Sequence, residues 1–156
     1  MSRGPALLAA VASLVLGATN AIAHPLQGIV ITRILQPGRG PFALRPRQVE
    51  FVAFAADVAA FVVGILLVFA LGLALALYGT DRSDLPIVLG AVAVGAFVGY
   101  LLGIVPAAVL WGVGDYLDQL RGIGFLHLLA WWVSRPILFP IVVAGGLAIG
   151  WWATGE

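Results

Sequence analysis

Apolar positions in this chain fall in long blocks, and four of them approach the length of a membrane crossing. A helix rises about 1.5 Å per residue, so about 20 apolar residues span a hydrocarbon core of about 30 Å. The first block covers residues 5–23 and is interrupted only by Ser13, Thr19 and Asn20. The second covers 51–78, with Asp57 as its only charge. At about 42 Å of helix it exceeds the core, so a crossing over 58–78 leaves Asp57 at one head-group boundary and Tyr78 at the other.

The third block, 85–111, is uncharged. Asp84 or Ser83 can cap it, and Pro86 sits in the first turn, where a missing N–H is tolerated. Pro106 is expected to kink or end it, leaving Trp111 as an interfacial anchor. The fourth block lies within 123–152. Its tandem pairs Trp131-Trp132 and Trp151-Trp152 are twenty positions apart, about 30 Å of helix, which matches two aromatic belts. Ser134 reads as its N-cap, with Pro136 just inside, and Pro140 is expected to bend it. Arg135 lies one turn from the first belt, close enough to snorkel to the head groups.

Between the first two blocks, residues 24–50 carry Pro37-Gly38-Arg39-Gly40-Pro41 and Arg45-Pro46-Arg47. Those are turn signals, so the segment reads as a surface loop. Residues 112–132, His127 included, read as an interfacial segment. No second domain or internal repeat is evident. The expected fold is all-α: one integral membrane domain, a bundle with spans near 5–23, 51–78, 85–111 and 133–152.

Composition sharpens the class. Apolar residues make up 62% of the chain, charged ones 10%, and the mean hydropathy is +1.11. Soluble domains run nearer about 45–50% apolar and about 25% charged, and disorder needs the opposite bias. With no Cys there is no disulfide frame or thiolate site. A net charge of +1 gives no footprint for nucleic acid. Abundant Ala, Gly, Val and Arg with no Lys suggest a GC-rich prokaryotic source.

The first block has two readings. Arg3, the apolar run 6–17 and Ala21-Ile22-Ala23 resemble a secretory signal, whose removal would leave three spans and a chain starting at His24. Retained, the same segment just spans. Arg33, Arg39, Arg45 and Arg47 in the 24–50 loop outnumber Arg82 in the 79–84 loop. The positive-inside rule then places the longer loop in the cytoplasm, and four spans with both termini external misplace only Arg3.

That topology gathers His24, Glu50, Asp57, Asp115, Asp118, Arg121, His127 and Arg135 toward one membrane face. Glu50 and Asp57, seven apart, share a helical face and suit proton or cation handling. The plainer reading has Asp57 paired with a loop arginine at the helix entrance. His24 and His127 are the minimum for axial haem b ligation or part of a metal site, though neither has a partner at ligand spacing. No cofactor is assigned, and haem or metal stays open. Asp115, Asp118 and Arg121 form a short polar face that suits a solvated connector. No nucleophile-and-base motif or phosphate loop is present, so no catalytic residue is expected.

Small residues at four-residue spacing are the stronger pattern. Ala91, Gly95, Gly99, Gly103 and Ala107 line the third block. Ala56, Ala60, Gly64, Gly72 and Ala76 line the second, broken by Val68, and Gly146 and Gly150 follow in the fourth. Such faces let backbones approach closely where lipid removes the hydrophobic drive for association. They suit packing within the chain, a homo-oligomer or a partner membrane subunit. A non-enzymatic accessory subunit is therefore the leading expectation, with a transporter component using Asp57 and Glu50, or a haem anchor using both histidines, as alternatives.

Overall fold

The computed structural model describes residues 3–33, 42, 44–123 and 125–155, with side-chain surroundings for all of these but 3, 24, 25, 27–29, 31–33 and 119–135. The described residues form helices α1 (Arg3–Arg33), α2 (Pro46–Leu77), α3 (Leu85–Trp111), α4 (Val113–Ile123) and α5 (Phe125–Thr154), with a 3-10 turn at Arg82–Asp84. No strand occurs among them. Four of the helices, all but α4, are long and apolar enough to cross a membrane. In lipid every backbone polar group must be satisfied within the protein, and helices do this segment by segment.

The same pressure explains where the helices outrun their expected limits. α1 continues past Ala23 to Arg33, so residues 24–33 are helical and not part of the loop. α5 begins at Phe125, which puts Ser134 inside the helix instead of at its N-cap. α5 also runs unbroken through Pro136 and Pro140, and α3 continues beyond Pro106. Ending a helix at any of these points would leave unpaired backbone groups at or near the apolar layer. Asp84 does occupy the N-cap position of α3, but its side chain makes no capping bond.

α2 ends in a Schellman arrangement. Gly79 adopts φ +83°, a conformation that favours glycine. Its N–H donates to Ala76 O at 3.0 Å, and the N–H of Thr80 donates to Leu75 O at 3.2 Å.

Two pairs of helices run parallel. Glycines 95, 99 and 103 of α3 meet Ala10, Leu14 and Ala18 of α1 in ascending order. Likewise Gly72 lies over Gly146, and Ala76 over Gly150, so α2 and α5 share a direction. Tyr78, just beyond α2, touches Gly4 at the start of α1. The beginnings of α1 and α3 therefore lie at the same end of the bundle as the ends of α2 and α5. Between the pairs, Val88, Val92 and Ala96 of α3 join Val68 and Leu75 of α2 and Phe139, Val143 and Leu147 of α5 in one buried cluster.

Candidate functional site

The α1–α3 contact is a backbone-to-backbone seam. A side chain placed at Gly99 would collide with the carbonyl of Leu14, and one at Gly95 with that of Ala10. At Gly103 a Cβ would lie 2.6 Å from Ala18 O and 2.7 Å from the Cβ of Ala21. The relation is mutual, since a Cβ at Gly17 would meet the carbonyl of Ala96. Ala107 is fully buried and Ala91 half-buried on the same helix.

The α1 half of this seam escaped the sequence reading. Ala9, Ser13, Gly17 and Ala21 repeat every four residues and are all buried. Their spacing is legible in the sequence, but the same residues also match the apolar run and small-residue end of a secretory signal. Ser13 is fully buried, and its Oγ has no hydrogen-bond partner among the described residues.

The α2–α5 crossing uses Gly72, Ala76, Gly146 and Gly150. A Cβ on Gly72 would fall 2.9 Å from the Cα of Gly146, and one on Gly146 would fall 3.0 Å from the Cα of Gly72. One turn on, Gly150 sits against the methyl of Ala76. Gly64, of the same periodic series, has nothing among the described residues within 4 Å of where its Cβ would be, and Ala60 is exposed. The series thus divides at Val68 into a packed half and an open one.

At the end of this crossing a polar cluster closes the bundle. Thr80 is fully buried, and its Oγ1 donates to Leu75 O at 2.7 Å. The indole Nε1 of Trp151 donates to Thr80 O at 2.8 Å, tying α5 to the α2–α3 connection. Arg82 lies over the Trp151 ring, 5.7 Å from its centroid, within cation–π range. Trp151 is only 7% exposed whereas Trp152 is 84% exposed, so the tandem pair divides between the bundle and its surroundings. Trp111, the last residue of α3, is half-buried.

The acidic residues of the expected ionisable face stand at one end of the bundle, on the start of α2 and on α4. Glu50 and Asp57 are exposed on α2, and Asp115 and Asp118 are exposed on α4. Tyr116 of α4 packs inward; burial raises its phenol above the ordinary 10.0, and nearby Tyr100 adds to the rise. His24 and His127 belong to α1 and α5, but their side chains, like those of Trp131 and Trp132, lie outside the described residues. Among the described residues no three of His, Cys, Asp and Glu converge as a metal site.

What the arrangement offers is therefore two closed glycine seams, one polar clasp and a bare stretch of helix. From 50 to 67 every α2 residue is exposed except 53, 56, 64 and 65, which are partly covered. Phe51, Phe54 and Phe61 are 71%, 67% and 64% exposed. Comparison of the chain with protein-family models, with curated proteins and with solved structures returned no match.

Proposed function

We propose that this chain is a non-enzymatic accessory or structural membrane subunit. Its glycine faces assemble its own bundle, and the bare first half of α2 receives a neighbouring membrane helix, from a second copy or a partner subunit. The observation that carries this reading is the exposure of residues 50–67 on a helix whose second half is tightly packed. Aromatic side chains beside small ones at 60 and 64 give that stretch both contact area and room for a close approach.

Native mass spectrometry of the protein extracted gently from its own membranes tests the reading. A fixed stoichiometry is expected, reduced to the lone chain by Gly64→Leu while the helical content persists. A lone chain from the unaltered protein would contradict it. The alternative of proton or cation transport rests on exposed Asp57 and Glu50, and predicts instead that Asp57→Asn abolishes flux with the assembly intact. A haem anchor using His24 and His127 would declare itself by a Soret band.

A further inference from the structure

We infer that the leader-like N-terminal segment is kept in the working protein as a membrane span entering from outside, with its Ala21-Ile22-Ala23 sequence at the cytoplasmic face. Direction comes first. Ala10, Leu14 and Ala18 of α1 oppose Gly95, Gly99 and Gly103 of α3, so the two helices run parallel. Gly4 meets Tyr78 beyond the end of α2, so α1 starts at the end where α2 finishes. Ala23 consequently lies toward the other end, the one that bears the start of α2 and all of α4.

Charge assigns the sides. Arg33 ends α1, Arg39 and Arg45 fall between α1 and α2 in the chain, Arg47 stands at the start of α2 and Arg121 in α4, all toward the Ala23 end, against Arg3 and Arg82 toward the opposite end. The positive-inside rule places the arginine-bearing end in the cytoplasm. Secretory signals are cut on the external side of the membrane after entering with a cytoplasmic N-terminus. This segment has the composition of such a signal and the reverse orientation.

Packing gives an independent reason. A peptide bond must be drawn out extended to be cleaved, yet α1 is helical through Ala21-Ile22-Ala23 and on to Arg33. Ala21 is 6% exposed and lies against Gly103. Loss of residues 1–23 would strip Gly95, Gly99 and Gly103 of the helix that covers them.

The test is the intact mass of the protein purified from its own membranes through a C-terminal tag, together with labelling of single cysteines in this Cys-free chain. The expected mass includes the segment 3–23. An impermeant maleimide should label Gly4→Cys in intact cells and Gln48→Cys only after lysis, since both positions are exposed. A species beginning at His24 would overturn retention, and the reverse labelling pattern would overturn the orientation.

Discussion

Gly72 and Gly146 meet in a crossing that reads the same from either helix. Gly72 lies against the carbonyl of Val143 and the N of Leu147, while Gly146 lies against the carbonyl of Phe69 and the N of Leu73. In each case the partners are three residues before and one after the opposing glycine. The pair behaves as a parallel small-xxx-small dimer built within one chain, with Ala76 and Gly150 as its second step.

A side chain at either glycine must push the helices apart. Gly146→Leu should lower stability by about 1–3 kcal/mol or prevent folding, as overpacking does. Gly64→Leu, on the same helix as Gly72 but with nothing near its Cβ position, should leave the isolated chain's thermal unfolding in detergent unchanged. Equal losses for the two would contradict the division of α2 at Val68.

The α1–α3 seam makes the same kind of prediction with its own control. Gly99→Leu collides with the backbone of Leu14, whereas Gly90 on the same helix has open space. Circular dichroism during unfolding should report a marked loss for Gly99→Leu and little change for Gly90→Leu.

Ser13 reverses the usual sign. Its buried hydroxyl has no hydrogen-bond partner among the described residues, and an unsatisfied buried group costs about 1–3 kcal/mol. Ser13→Ala should therefore stabilise the bundle, raising its unfolding midpoint. A fall in that midpoint would show that the hydroxyl is bonded.

The two tryptophans of the last tandem pair should differ despite being neighbours. Trp151→Phe removes the bond to Thr80 O and weakens the contact with Arg82, at a cost of about 1–2 kcal/mol. Trp152→Phe, at an exposed position, should change the stability of the detergent-solubilised bundle by much less.

Tyr116 supplies a pH prediction. Its folded-state pKa is raised by burial, so its contribution to stability is present below about 10, the ordinary Tyr value, and is lost as pH rises through the folded value. Ultraviolet titration of phenolate should show a late-ionising component, and Tyr116→Phe should diminish it.

These contrasts mark how far the sequence could be read. Hydropathy located four crossings, because lipid tolerates little else over such lengths. Periodicity found the α3 face. It did not reveal that α1 covers it, since spacing shows where backbones can approach and not which helix arrives. For the same reason Gly64 and Gly72 look equivalent in sequence while only Gly72 is packed. Trp151-Trp152 read as one belt, yet neighbours on a helix point about 100° apart, and packing alone decides which turns inward. The Schellman end at Gly79 left a turn signal in the sequence, but the use of Thr80 O by a residue in α5 is a long-range fact with no local trace.

The α2–α5 glycine seam closes within a single chain. Since the chain has no native Cys, an Ala76→Cys, Gly150→Cys pair can be oxidised in native membranes without competing thiols. A disulfide within one chain is expected, seen as a monomer whose two cysteine-bearing peptides are linked after proteolysis. A ladder of covalent dimers, with no internal link, would mean instead that these faces join separate molecules.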